Sequence, residues 1–119
     1  MYGPGQNPKS ILAQLDRHIQ DGSLEFNMSK GDQQRDYLPV QKVAEIICRL
    51  ALRPTGAGIV NCGSGKPITI KSLVETHLKK HDAQIKLNLG HYDYPDYEPM
   101  HFWADTTKLK TLLDGSIEL

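Results

Sequence analysis

The chain has 119 residues, with 14 Lys+Arg against 14 Asp+Glu and a formal net charge of zero. That length fits one domain, whose folding takes roughly two-thirds of the unfolded surface out of water. Apolar residues at 39% and charged residues at 24% exclude a disordered or collagen-like chain. There is no basic surplus of the kind a nucleic-acid binder carries, although a local anion site remains compatible with neutrality. No apolar run approaches the ~20 residues of a membrane helix, and the N-terminus lacks a basic-then-apolar leader. The expectation is therefore a cytoplasmic protein with neither membrane nor nucleic acid as a partner. Cys48 and Cys62 are too few for a disulfide framework and sit in apolar runs, so reduced, buried thiols are expected.

In chain order, Tyr2-Gly3-Pro4-Gly5-Gln6 reads as a turn-rich loop. Asn7-Pro8 reads as a helix entrance, with Pro8 near the first helical position and Ile11, Leu12, Leu15 and Ile19 following at helical spacing. Asp21-Gly22 stops that helix. Leu24, Phe26 and Met28 alternate with polar residues as a short half-buried strand. Ser29 to Asp32 is a turn, and Arg35 to Val40 a brief extended piece in which Pro39 leads into the next helix. That helix carries Val40, Val43, Ala44, Ile47, Leu50 and Ala51, with Cys48 beside its apolar face, and ends near Arg53-Pro54.

Ile59-Val60-Asn61-Cys62 predicts a strand buried on both faces. Gly63 to Pro67 is a loop, and Thr69 an N-cap for a helix with Ile70, Leu73, Val74 and Leu78. Ile85, Leu87 and Leu89 alternate as a strand, His91 to Met100 is an aromatic, acidic loop, and Phe102-Trp103-Ala104 is extended. Thr106 to Leu113 closes as a short helix capped by Asp105 or Thr106. Short strands alternating with about four helices define an α/β class, α+β if the chain stands in isolation.

Most chemical motifs fail on inspection. Gly63-Ser64-Gly65-Lys66 lacks the earlier glycine of a phosphate loop (Val60 stands there) and the hydroxyl after the lysine (Pro67). No Gly-x-Gly-x-x-Gly occurs, so no glycine-lined turn brings a pyrophosphate onto a helix N-terminus. No tyrosine is followed four positions later by lysine, and no Gly-x-Ser-x-Gly is present. His77 and His81 stand one helical turn apart and could share a metal, but no cysteine or carboxylate lies at matching spacing. With Lys79, Lys80 and Asp82 around them they read as a solvated helix face. Asp93, Asp96 and Glu98 could pair for acid–base work or simply keep a loop solvated.

Four segments in order carry a resemblance. They are Tyr2-Gly3-Pro4-Gly5-Gln6, then Gln34-Arg35-Asp36-Tyr37-Leu38-Pro39-Val40, then Val60-Asn61-Cys62-Gly63-Ser64-Gly65-Lys66-Pro67-Ile68, and last Phe102-Trp103-Ala104-Asp105-Thr106-Thr107-Lys108-Leu109. The set resembles the C-terminal half of the NAD(P)-dependent epimerase/dehydratase family, extended short-chain dehydrogenase/reductases acting on nucleotide sugars. It spans about residues 2 to 113. It implies that residues 1–119 are one nucleotide-sugar-binding domain, a fragment of a longer enzyme beginning at a native or introduced Met1. The cofactor loop and Tyr-x-x-x-Lys dyad would lie upstream. NAD or NADP would be bound mainly outside this chain, and the chain alone would be inactive. The alternative is a stand-alone, non-catalytic binding or assembly module on the same scaffold.

The resemblance also implies roles. Arg35 would contact the diphosphate, where a guanidinium fork suits phosphate oxygens; the alternative is a surface salt bridge with Asp32 or Asp36. Tyr37 of the same segment belongs with the substrate-binding candidates. Asn7 and Lys9 would support the diphosphate at a helix start, unless Asn7 only caps the helix. The strand ending at Asn27 would read the nucleobase or serve as core packing. Glu98 would hold ribose hydroxyls, and Phe102 would shape the sugar pocket or be a core aromatic. Pro95 stands where many relatives carry a second phosphate-contacting arginine, Phe102 lacks the hydroxyl many have, and Gln41-Lys42 replace usual acidic residues. Tyr97-Glu98-Pro99-Met100 resembles a subgroup of bacterial nucleotide-sugar epimerases and reductases. The Val60-Asn61-Cys62 edge, lacking the sheet of an upstream Rossmann domain, predicts self-association.

Overall fold

A computed structural model describes Met1–Leu119. Its elements are α1 (Ile11–Gln20), β1 (Glu25–Asn27), β2 (Gln34–Asp36), α2 (Val40–Ala51), β3 (Pro67–Thr69), α3 (Ile70–Lys80), β4 (Lys86–Asn88), β5 (His101–Phe102) and α4 (Thr107–Leu113). The chain forms two compact units, each assembled from separated stretches. The inner unit is Gly5–Arg35 with Ile68–His101; the terminal unit is Met1–Pro4, Asp36–Pro67 and Phe102–Leu119. Strands β3, β2 and β5 lie side by side in that order.

In the inner unit, α1 starts later than Pro8. Asn7 closes its own turn, accepting the Lys9 N–H on Oδ1 at 2.8 Å, and its carbonyl accepts the Ser10 N–H. Ser10 then takes the N-cap, its Oγ accepting the Ala13 N–H. An asparagine so engaged cannot also satisfy the first orphan N–H groups of the helix, and serine is an equally good cap. Helix α3 begins as expected, with Thr69 Oγ1 accepting the Ser72 N–H at 3.1 Å.

Strand β1 pairs in parallel with β4, with Phe26 opposite Leu87. Phe26 is buried between exposed Glu25 and Asn27, but Leu24, expected inside, lies before the strand and is exposed. Helix α1 packs on α3, and Leu12, Leu15, Phe26, Met28, Ile70, Val74 and Leu78 are buried. Burying side chains of this size contributes about 1.5–3 kcal/mol each relative to leaving them exposed.

In the terminal unit, Tyr2 makes a parallel bridge to Pro39: its N–H donates to Leu38 O and its carbonyl accepts from Val40 N–H. The core is Leu38, Ile46, Leu109, Leu113 and Ile117, with Val43, Leu50, Val60 and Leu119 packed against it. Helix α2 therefore buries the stripe 43/46/50. The expected stripe through Ala44 and Ile47 faces out: Ile46 is 0% exposed and Ile47 57%. The helix is apolar on two adjacent stripes, so the pattern alone leaves the buried one open. The exposed stripe runs Ala44, Ile47, Cys48, Ala51 and Leu52, a helical spacing of small and large apolar groups.

The structure departs from expectation at two further places. Residues 59–62 form no strand, and Ile59 is 91% exposed, because an extended segment needs a partner ladder and none of this chain's strands pairs with it. Cys48 and Cys62 are free, as expected, but exposed rather than buried. Cys48 lies on the outward stripe of α2, and Cys62 belongs to the unpaired segment. At α4 the capping side chain is Asp105, whose Oδ1 accepts the Thr107 N–H at 2.9 Å, while Thr106 is buried and makes no cap bond.

Candidate functional site

The inner unit carries a cleft of about 340 Å³. One wall is the start of α1, with Lys9, Ile11 and Gln14; another is the end of β1 and the following turn, with Phe26, Asn27, Met28 and Ser29; the third is the loop Tyr92–Pro95 with Glu98. The loop is fixed by Tyr94, whose hydroxyl accepts the Asp32 N–H at 2.9 Å, and by the His91 N–H donating to Met28 O at 3.0 Å. Beneath Met28, Gly31 is held close to α3, its carbonyl accepting the Lys71 N–H, and a Cβ there would meet Lys71 N at 2.8 Å. Only glycine, at φ +73°, fits that approach.

The polar groups of the cleft are held from behind. Glu98 pairs with the Arg35 guanidinium, both side chains being about four-fifths buried, at 19% and 23% exposure. Arg35 Nη1 also donates to Gln34 O at 2.7 Å. The guanidinium carries five N–H groups, so this bonding leaves donors for a further oxygen. Gln33 lines the same cleft, and its Oε1 is buried with no hydrogen-bond partner. A buried unpaired amide costs about 1–3 kcal/mol, which a bound polar group would recover. Sequence reasoning missed Gln33; in the sequence it is one of two adjacent glutamines and nothing distinguishes it.

The expected site residues are distributed as follows. Lys9, Asn27 and Glu98 line the cleft, and Arg35 reaches it through Glu98. The Asn27 side chain is tied across the ladder, its Oδ1 accepting from Asn88 Nδ2 at 2.8 Å. Asn7 lies outside the lining, closing the turn before α1. Arg35 pairs with neither Asp32 nor Asp36, the partners the sequence suggests. Tyr37 and Phe102 belong to the terminal unit. Tyr37 packs its ring near Tyr2, with centroids 6.5 Å apart, and Phe102 is 67% exposed at the rim of a second cavity, so it is not a core aromatic.

That second cavity, about 520 Å³, is lined by Met1, Leu38, Val43, Cys62, Phe102, Trp103 and Ala104 around Asp36. Asp36 organises it. Oδ1 accepts from the Ser64 N–H at 2.8 Å and the Ser64 hydroxyl at 2.6 Å; Oδ2 accepts from the Gly65 N–H at 2.9 Å and the Ala104 N–H at 3.3 Å. Burial pushes the Asp36 carboxyl up, but these hydrogen bonds together outweigh it and hold its pKa below the usual aspartate value. Burial and then the Asp36 charge push the Cys62 thiol up, against a smaller opposing effect of the N-terminus, so it is no activated nucleophile.

No family model matches the chain. Solved structures do. The chain is similar to the UDP-N-acetylglucosamine 4-epimerase of Methanobrevibacter ruminantium M1, solved with UDP-N-acetylmuramic acid. The TM-score is 0.80 at 23% identity over 93% of this chain and 36% of that one. It is similar to the UDP-glucuronic acid 4-epimerase of Bacillus cereus in complex with UDP-glucuronic acid and NAD, with TM-score 0.81 at 22% identity over 99% of this chain and 38% of that one. The dTDP-glucose 4,6-dehydratase of Bacillus anthracis, in complex with NAD, gives 0.74 at 19% identity over 95% and 35%. The likeness is one of fold: the chain has the fold of the C-terminal part of extended short-chain dehydrogenase/reductases. It spans little more than a third of the length of these enzymes. No helix is long and apolar enough to cross a membrane.

Proposed function

We propose that this chain is the nucleotide-sugar-binding portion of a longer NAD(P)-dependent epimerase, dehydratase or reductase. The observation that carries the reading is the inner-unit cleft, which Lys9, Glu98 backed by Arg35, and Gln33 with its unpartnered amide oxygen line together with Tyr92 and Tyr94. The diphosphate draws on Lys9 and on the unused donors of Arg35. Glu98, already oriented by Arg35, accepts from ribose hydroxyls. The unpaired edge of β1 offers backbone groups to a nucleobase, and Gln33 takes one of its polar atoms. Tyr92 and Tyr94 supply aromatic surface beside it.

A dinucleotide does not fit the glycine loop of this chain. The N–H groups of Ser64 and Gly65, the donors a pyrophosphate needs, are spent on Asp36, whose negative charge occupies the anion's place. The hydride chemistry then falls to residues outside this chain. The exposed stripe of α2 and Ile59 would be covered by that cofactor-binding part. The supporting facts are the 57% and 91% exposure of Ile47 and Ile59 and the near-threefold greater length of the solved enzymes with this fold.

The test is thermal shift of the chain with UDP-, dTDP-, GDP- and CDP-sugars, repeated with Arg35→Ala and Gln33→Ala. The reading expects a rise in Tm with one nucleotide class, lost in Arg35→Ala and reduced in Gln33→Ala. It fails if no class raises Tm, or if Arg35→Ala responds as the parent does.

A further inference from the structure

The pair formed by His77 on the last turn of α3 and His81 at its C-cap gains a third member that the sequence does not show. Asp16 sits on α1, and its Oδ1 lies 2.6 Å from His77 Nε2. His81, one turn on, places its ring 4.5 Å from that of His77, centroid to centroid. One ligand atom from each of Asp16, His77 and His81 lies within 4.8 Å of the other two. His77 is largely buried at 16% side-chain exposure, Asp16 half-buried and His81 exposed, so the cluster opens to solvent on one side.

From these positions we propose a divalent transition-metal site, suited to Zn2+, that clips α1 to α3 in the inner unit. Two imidazoles and a carboxylate are the borderline donors that such a cation prefers over Mg2+ or Ca2+, which take oxygen ligands. Histidines four residues apart on a helix present their rings on one face, the spacing that lets both reach one ion. The carboxylate comes from the facing helix, so binding reinforces a junction now held by apolar packing and the single Asp16–His77 contact. Three protein ligands leave a fourth tetrahedral position for water.

The bond chemistry is simple. His77 binds as the neutral tautomer that carries its hydrogen on Nδ1, so the Nε2 hydrogen is exchanged through solvent to Nδ1 and the cation takes its place between Nε2 and Asp16 Oδ1. His81 completes the set with its own ring nitrogen. The two atoms part from 2.6 Å to the wider separation of two ligands on one ion, a movement that side-chain rotation of Asp16 supplies. Lys79 and Lys80 are exposed, and Arg17 donates to Pro8 O at 2.8 Å, a use of that cation on the backbone.

The site is separate from the cleft in its residues, and its test does not depend on nucleotide binding. Purified metal-free chain is titrated with Zn2+ by calorimetry, and with Co2+ by visible absorption, in parent, His81→Ala, Asp16→Asn and His91→Ala. The proposal expects one saturable Zn2+ per chain, a rise in Tm on binding and tetrahedral Co2+ bands in the parent and in His91→Ala. All three should be lost in His81→Ala and in Asp16→Asn. His81 is exposed, so His81→Ala folds as the parent does, and the metal-free Tm checks this. Absence of saturable binding in the parent, or binding that survives His81→Ala, overturns the site.

Discussion

Asp36 holds Ser64 twice, by its N–H at 2.8 Å and its hydroxyl at 2.6 Å, both on the same carboxylate oxygen. This grip closes a loop over residues far apart in sequence and sets the shape of the terminal unit's cavity. Because the hydrogen bonds favour the ionised carboxylate, the folded pKa lies below the unfolded one. The stabilisation is then complete above the ordinary aspartate range and is lost as pH falls through the lowered folded value. Urea midpoints should decline below about pH 4 in the parent. Asp36→Ala, which strands the Ser64, Gly65 and Ala104 donors, should lower stability by about 3 kcal/mol at neutral pH and flatten the acid limb.

The same loop admits no side chain at its glycines. A Cβ at Gly63 would lie 2.5 Å from the Ala104 Cβ and 2.7 Å from Asp36 Oδ2, and one at Gly65 would meet Thr106 Oγ1 at 2.6 Å with φ at +68°. Gly63→Ala and Gly65→Ala should each cost about 1–3 kcal/mol by urea unfolding, whereas Gly56→Ala, with open space around it, should change little.

Helix α2 offers a paired contrast between neighbours. Ile46→Ala should cost about 2–5 kcal/mol through the cavity it leaves, and Ile47→Ala within about 0.5 kcal/mol, since Ile46 is fully buried and Ile47 mostly exposed. Equilibrium unfolding of the two variants decides which stripe faces the core.

The outward stripe makes a second, independent expectation. Ile47 and Leu52 together with Ile59 leave apolar surface bare, so the isolated chain should associate in a concentration-dependent way. Ile47→Glu with Leu52→Glu should shift sedimentation toward monomer while leaving the thermal transition of the chain in place.

Arg35 and Glu98 are expected to fail differently. Arg35→Ala leaves a largely buried carboxylate unpaired and should destabilise by about 1–3 kcal/mol besides weakening nucleotide binding; Glu98→Gln keeps a hydrogen-bond acceptor for the guanidinium and should spare stability. Tm and nucleotide-sugar affinity measured on both variants separate the two effects.

Much of the architecture was legible because it is local. The four helices carry apolar residues at helical spacing and three of them start at or beside a Ser, Thr or Asp side chain that caps an N–H. Strands at Phe26 and Leu87 follow from alternation with polar neighbours, but their parallel pairing does not. What escaped is set by tertiary partners. The choice between the stripes of Ile46 and Ile47 depends on which one α4 and the C-terminal residues cover. Ile59 to Cys62 has the composition of a strand but no neighbour to make it one. The start of α1 turned on whether Asn7 spent its side chain on Lys9, which composition does not reveal. In the cleft, Lys9, Asn27 and Glu98 come together from three separate segments, while Gln33 shows its importance only through an amide oxygen left unpaired. Asp16 is 61 positions from His77, beyond any motif spacing.

The two units are threaded through one another in sequence: the inner one is interrupted by Asp36–Pro67, and the terminal one is completed only by Phe102–Leu119. No single scission can release either as an intact piece, and a ribosome must pass Phe102–Leu119 before the terminal unit has all its parts. Growth of the nascent polypeptide therefore allows the inner unit to mature before the terminal one, whose Phe102–Leu119 portion emerges later.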